Sequence, residues 1–278
     1  MISDETIVGN KNLFSFEEEC IVEHLRKENL SHANEIARPV CPKDTLYTRY
    51  IKRILDILIS LPLVIILLPL NVVFALCTFF DVGHPIFYKQ TRIGRHGKQF
   101  IMVKFRNMNE KKDENGRLLP PSQRVTKFGR IMRKYSLDEL LNFWCVLKGD
   151  MSIIGPRPSP VFIYERMTDR HKQRTALRPG LECPRVIKVT DDDLCKYHHT
   201  YENDIWYIEN VSFMTDIKMC CLLVKMVFDL KKREGQAKGQ GVSYFIGYDK
   251  DGFAISMNKY KERYARGIEN SLANGDIV

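Results

Sequence analysis

No Cys-x-x-Cys pair joins any of the eight cysteines, and none of them stands with histidine at zinc-ligand spacing. Cys77 lies in one apolar run and Cys220 and Cys221 sit side by side in another. The thiols therefore read as reduced and buried in a reducing compartment, not as a disulfide framework. His198 and His199 likewise lack partners at ligand spacing. Met1 to Asn12 is polar and has no apolar segment of the kind a signal peptide carries. No set of exposed aromatics is expected among the basic residues, and with a 24-residue apolar run in the chain this argues against nucleic acid as a partner. At 44% hydrophobic and 28% charged residues, the composition excludes a disordered chain, a collagen-like fibre and a polytopic membrane protein.

What the chain has instead is unevenness. Its 43 Lys and Arg against 34 Asp and Glu give a net charge of +9, and 14 of the basic residues fall between Lys89 and Tyr135 beside three acidic ones. Such a stretch favours phosphate, whether of a lipid head group, a nucleotide or nucleic acid. Ile57 to Phe80 is a run of 24 residues without a charge, dominated by Leu, Ile and Val. It can cross a hydrocarbon core of about 30 Å as a helix. A buried core helix of this length would keep one polar face, and this run has none. Pro62 and Pro69 interrupt it, each removing a backbone donor and favouring a bend. Arg49, Lys52 and Arg53 precede the run, and Lys89, Arg92, Arg95 and Lys98 follow it. The positive-inside tendency assigns both ends to the cytoplasmic side. A helix that enters, breaks at a proline and returns satisfies both flanks, whereas a straight span satisfies one. The re-entrant form is the expectation, its freed backbone groups finding local partners. Ile217 to Phe228 is apolar but too short to span, and reads equally as a core helix or as one lying on a bilayer.

Four segments follow. Residues 1–46 read as a soluble extension with a helix opened by a capping box at Ser15-Phe16-Glu17-Glu18 and running to about Lys27. Residues 47–83 hold the membrane segment, and 84–235 form the domain that carries the chemistry. Residues 236–278 read as a hairpin, Val242 to Tyr248 and Phe253 to Met257 around Asp249-Lys250-Asp251-Gly252, then a helix from about Asn258 to Asn270.

Within the central domain Gly94 and Gly97 punctuate a loop, Phe100 to Phe105 reads as a strand carrying Lys104, and Val125 to Lys134 as a basic amphipathic helix. Ser136-Leu137-Asp138-Glu139 then opens a second helix, and two readings share it. In one it is a capping box, Ser136 and Glu139 satisfying each other's backbone amides while Asp138 complements the helix dipole. In the other, Asp138 is a carboxylate kept ionised well below neutral pH by the helix terminus and Arg133. A helix N-terminus beside arginines attracts phosphate. A carboxylate facing a bound phosphate is the arrangement for an acyl-phosphate intermediate, with a divalent cation bridging the two anions. Arg157, held between Pro156 and Pro158, reads as a stiffly presented phosphate ligand.

Taken in order, these motifs resemble the bacterial sugar transferase family, the monotopic polyprenyl-phosphate phosphoglycosyl transferases, from about Lys52 to Lys232. They are Lys52-Arg53 ahead of the proline-broken helix, Gln90-x-Arg92-x-Gly94, Lys104-Phe105-Arg106-x-Met108, Ser136-Leu137-Asp138-Glu139-Leu140, Val146-Leu147-Lys148-Gly149-Asp150-Met151-Ser152, Gly155-Pro156-Arg157-Pro158 and Arg178-Pro179-Gly180. The resemblance implies an α/β, mostly helical, monotopic membrane protein with one re-entrant helix, its catalytic domain on the cytoplasmic face of the bacterial inner membrane. It implies transfer of a sugar-1-phosphate from a UDP-sugar to polyprenyl (undecaprenyl) phosphate, releasing UMP and initiating exopolysaccharide, capsule, O-antigen or glycoprotein glycan assembly. The intermediate would be a covalent phosphosugar on Asp138, with Glu139 assisting as base and Mg²⁺ on Asp138 and the diphosphate. Arg133 and Arg157 match the family's phosphate-handling arginines, with Lys104, Arg106 and Arg92 as further candidates. The helix break matches Leu68-Pro69, where the family often has Ser-Pro. Membrane lipids are implied partners, and a homodimer is compatible with the sequence.

Three departures stand out. Asn107 occupies the place of a usual Thr. Leu181-Glu182-Cys183-Pro184-Arg185-Val186 replaces a Gly-Trp-x-Gln-Val type segment, leaving the donor open. The chain also runs about 45 residues past the usual end. The rival reading is a catalytically silent homologue serving as a membrane scaffold in a glycan assembly complex.

Overall fold

The computed structural model describes residues 16–114, 116, 118–119, 121–186, 196–228, 244–258 and 260. Ser15 of the expected capping box lies outside these, as does nearly all of the helix expected from Asn258.

The first helix, α1, spans Phe16–Glu35, a good two turns beyond the expected end near Lys27. Its buried positions Ile21, Val22, Leu25 and Ala33 continue at helical spacing past that point. A five-residue π turn, Tyr47–Ile51, leads into α2, Lys52–Val82. Helical backbone runs through Pro62 and Pro69 without interruption, so the expected break is not a stretch of lost helix. The segment Tyr47–Val82 is the one helix among the described residues long and apolar enough to cross a membrane, and little of its apolar surface is covered: Ile66 is 67% and Phe80 82% exposed.

Both ends of α2 are tied to the same domain. At its start Arg53 donates to the carbonyls of Val146 and Leu147 at 2.6 and 2.8 Å, and Asp56 accepts from Ser152 Oγ and the Ile153 amide at 3.0 and 3.1 Å. Lys52, also buried, pairs with Asp216 at 2.5 Å, and Tyr47 and Tyr207 donate to the same carboxylate at 2.6 and 2.7 Å. At the far end Arg106 donates to the carbonyls of Val82 and Gly83, and Phe74 meets the Phe105 ring edge-on. Arg106 thus serves the orphan carbonyls that every helix leaves at its C-terminus.

Strands β1 (Phe87–Ile93) and β2 (Gln99–Phe105) form an antiparallel hairpin in register from Phe87↔Phe105 to Ile93↔Gln99. The sequence reading anticipated the second strand only, because Gly94 and Gly97 made the preceding stretch look like loop. Helix α3 (Lys127–Lys134) follows, then a 3₁₀ turn at Leu137–Glu139 and α4 (Asn142–Lys148), whose last carbonyls Arg53 caps. Strand β3 (Ser152–Ile154), the short helix α5 (Val161–Glu165) and strand β4 (Gly180–Glu182) come next, β3 and β4 pairing in parallel. A Cβ at Gly180 would lie 2.1 Å from the Gly155 nitrogen, so this crossing requires glycine.

Helices α6 (Lys196–Asn210) and α7 (Phe213–Phe228) complete the domain. Ile205, Tyr207 and Ile208 of α6 and Met219 of α7 are packed against Ile154 and Leu177. Helix α7 buries Met219 in the core, as one of the two readings of its sequence expects, and leaves Phe213, Met214, Ile217 and Val224 exposed.

The C-terminal hairpin, β5 (Phe245–Tyr248) and β6 (Ala254–Ser256), forms about the expected turn. It packs against α1: Ile21, Val22 and Leu25 share a cluster with Ile246, Ile255 and Met257. Two segments from opposite ends of the sequence thus make one unit. Its Tyr248 hydroxyl accepts from the Thr168 amide at 3.0 Å and meets His171 Nδ1 at 2.7 Å, while His171 Nε2 faces Glu202 at 2.9 Å.

Candidate active site

Asp138 and Glu139 sit on the 3₁₀ turn between α3 and α4, and three local features place them there. Thr126 caps α3, its hydroxyl accepting from the Gly129 amide at 2.8 Å. Gly129 lies directly on the chain after β2: a Cβ there would come 2.1 Å from the Asn107 carbonyl oxygen. Ser136 then turns the chain in the left-handed conformation, φ 54 and ψ 30. The capping box does not form. A capping serine needs extended backbone, Ser136 makes no side-chain cap bond, and Glu139 is engaged elsewhere.

Lys104, from β2, donates to Glu139 Oε1 at 2.5 Å, and Arg157 Nη2 donates to the same oxygen. Asn107 Nδ2 donates to Asp138 Oδ2 at 2.7 Å. The two carboxyls are driven in opposite directions. Burial, then the charge of Glu139, raises Asp138 above the ordinary aspartate value against Lys104 and Arg133. The direction is the reverse of the one expected from the helix terminus and Arg133, which left burial out of account. Burial would raise Glu139 as well, but Arg157 and Lys104 overrule it and hold Glu139 far below the usual carboxylate range. Lys104 in turn is lowered, by burial first and Arg157 next, with Glu139 opposing.

Arg157 follows the Gly155–Gly180 crossing and is gripped on several sides. Its Nη1 donates to the Leu181 carbonyl at 3.1 Å and reaches Glu182 Oε2 at 3.4 Å. Its own carbonyl accepts from Arg174 at 3.0 Å, and the buried Arg174 pairs with Asp204 at 2.5 Å and donates to Ser159 Oγ at 2.6 Å. Arg92 braces the same segment, donating to the Pro158 carbonyl at 2.9 Å and to Gln90 Oε1. Burial and then Arg157 bring Arg92 down to about 10. Arg133, in the last turn of α3, acts electrostatically on Asp138 and keeps a buried Nη1 without a hydrogen-bond partner among the described residues.

The structure therefore gathers Asp138, Glu139, Lys104, Arg157 and Arg133, with Arg92 behind Arg157. It does not bring Arg106 to them, since that guanidinium caps α2. Pro62 and Pro69 lie in the apolar helix, both exposed. Sequence reasoning missed the bond from Asn107, although it singled that residue out as a departure. It also missed Glu182, Arg174 and Tyr244, the residue ahead of β5. Burial and Tyr88 push the Tyr244 phenol up while Arg133 and Arg92 pull it down, which brings the C-terminal extension to this site's edge. Among the described residues no group of three His, Cys, Asp or Glu side chains could hold a metal on its own.

A buried aspartate beside a partly buried glutamate, ringed by basic side chains on a domain that carries a long exposed apolar helix, points to the class of membrane-associated enzymes acting on phosphorylated substrates. Comparison with known families gives the particular one. Residues 47–230 match the bacterial sugar transferase family, and the chain belongs to it. It is 40% identical over 146 residues to the uncharacterized sugar transferase EpsL of Bacillus subtilis, covering 52% of this chain and 71% of the relative. It is 32% identical over 181 residues to the exopolysaccharide production protein PSS of Rhizobium leguminosarum, covering 61% of this chain and 90% of that protein. The UDP-glucose:undecaprenyl-phosphate glucose-1-phosphate transferase of Escherichia coli is 34% identical over 186 residues, 63% of this chain but only 40% of that relative's length.

Proposed function

We propose that this chain transfers a sugar-1-phosphate from a UDP-sugar to polyprenyl phosphate, releasing UMP, by way of a phosphosugar held covalently on Asp138. One observation carries the reading: adjacent carboxyls whose surroundings drive their acidities apart, Asp138 up and Glu139 down. Such a divergence assigns different roles to two like groups. Asp138, with one oxygen held by Asn107 and no ion pair among the described residues, is the nucleophile. Glu139, held ionised by two cations, is a weak base; its role here is to fix Lys104 and Arg157 where charge develops on phosphorus.

In the first step an Asp138 oxygen attacks the phosphorus that bears the sugar, and the bond to the bridging oxygen breaks with its electron pair leaving on UMP. In the second, an oxygen of the lipid phosphate attacks the same phosphorus. The acyl-phosphate bond breaks and Asp138 returns as a carboxylate. Arg157, Lys104 and the unpartnered Nη1 of Arg133 receive the phosphoryl oxygens in both steps. The residues fit Mg²⁺ only in part: Asp138 offers one carboxylate, and the donor diphosphate would complete the set, a common mode for this ion. When bound, it supplies neutralisation between the two anions.

The membrane reading rests on α2. With both of its ends tied to one domain, a straight crossing would place that domain on two sides of the bilayer, whereas a helix bent at its prolines enters and leaves by the same leaflet. The exposed apolar face of α7 lies in that leaflet's interface. The positive flanks assign the leaflet to the cytoplasmic side of the inner membrane.

The test is UMP release by the full chain in detergent with Mg²⁺ and a panel of UDP-sugars. Without acceptor, one equivalent of UMP per enzyme is expected; with undecaprenyl phosphate, turnover. Loss of both in Asp138→Asn supports the nucleophile. Release that strictly requires acceptor, with no stoichiometric burst, would overturn the covalent route.

A further inference from the structure

A second basic cavity lies beneath the start of α2, lined by none of the side chains that touch Glu139. Thr48, Lys52, Asp56, Arg95, Ser152 and Arg178 form its walls around an enclosed space of about 10 Å³, room for one water, whose mouth is open to solvent. The acid groups in it are already committed. Asp56 accepts from Ser152 and Ile153, and Lys52 takes Asp216. The two arginines are not. Arg95 uses only Nε, on the Ala176 carbonyl at 3.3 Å, and Arg178 uses only Nε, on the Gly149 carbonyl at 3.0 Å. Among the described residues, no hydrogen-bond partner meets the terminal nitrogens of either guanidinium. Arg178 is held below the usual arginine value by burial and next by the like charges of Arg95 and Arg53, with Asp56 opposing.

Two guanidiniums that line one recess, with no hydrogen-bond partner among the described residues at their terminal nitrogens, suit the oxygens of a phosphate better than any neutral group. The cavity's floor is the first two turns of α2, and Ile54 and Leu58 on those turns are 55% and 63% exposed. A phosphate seated between Arg95 and Arg178 could therefore carry an acyl chain along the apolar helix. We propose that the mouth of this recess, between Arg95 and Arg178, is a second phosphate site, separate from the Asp138–Glu139 centre, that takes a lipid head-group phosphate or free phosphate. It does not depend on the transfer reaction proposed above.

The experiment is calorimetric titration of the full chain in detergent, in an Arg157→Gln background that removes the phosphate ligand at the acidic pair. Two probes are used, inorganic phosphate and dihexanoyl phosphatidic acid. One equivalent is expected to bind, and Arg95→Gln is expected to weaken it at least tenfold, the scale of losing charge-assisted hydrogen bonds. Arg178→Lys, which keeps the charge but loses the fork, should weaken it less, and it serves as the readout if the glutamine variant does not fold. Equal affinity for both probes supports a free-phosphate site; tighter binding of the lipid by tenfold or more supports a head-group site. No binding of either probe, or affinity unchanged in both variants, overturns the proposal.

Discussion

At Asp138, the proposed nucleophile, burial also works against the fold. A carboxyl whose folded-state acidity is weakened is most comfortable protonated, so it contributes least to stability above its raised pKa and gains as pH falls through it. Asp138→Asn should therefore melt higher than the parent at neutral pH, the gap closing toward acid, while UMP release disappears. Differential scanning calorimetry across pH reads the first effect. Activity has the opposite sign: the reactive form is the carboxylate, so kcat/KM falls as pH drops through the raised pKa. Glu139→Gln removes the like charge and leaves Lys104 and Arg157 to act on Asp138, so the acid limb should move to lower pH while kcat falls by about 10² or more. A limb that stays in place would mean that Asp138 does not set it. Ser136 offers a further check. Its left-handed backbone costs roughly 1 kcal/mol for a residue with a Cβ, so Ser136→Gly should be neutral or stabilising by about that amount in thermal melts. A capping serine would instead have lost stability.

Among the elements, what could be read from sequence was whatever lies close along the chain. Asp138-Glu139, Lys104 on its strand and Arg157 between prolines were legible because the chemistry and the local conformation share the same few residues. Arg106 sits in as basic a motif, yet it ends on the carbonyls of Val82 and Gly83, more than twenty positions away, a destination that no spacing discloses. Helix α1 outran its expected end because Leu30 and Ala33, beyond Lys27, join a cluster with Met167, Phe245 and Tyr248, met only after the chain returns. The Lys52–Asp216 pair belongs here too: it is buried, and Tyr47 and Tyr207 satisfy both of its carboxylate oxygens. Asp216→Ala strands a buried ammonium and should cost about 3 kcal/mol or more, seen as an early loss of structure in detergent melts. Replacing Tyr248 by Phe leaves the Thr168 amide and His171 without their oxygen and should cost about 1–3 kcal/mol.

Across the whole molecule, the two extensions behave as one body clasped to the family domain. Asn29 of α1 donates to the Tyr248 carbonyl across 219 positions of sequence, at 2.9 Å. A chain truncated before Tyr244 should expose Ile21, Val22 and Leu25, and limited proteolysis should then cut within α1, a region protected in the full chain. With Tyr244 beside Arg92 and Arg133, the same truncation should raise KM for the donor more than it lowers kcat.

The bond from Lys52 to Asp216 also sets an order of events during synthesis. Its two partners are 164 residues apart, so the apolar helix leaves the ribosome long before the carboxylate that seats its first turn exists. Until Asp216 emerges, the segment is a greasy nascent stretch with one end unmoored. Its first turn can therefore lock against the domain only late, once α7 has been made.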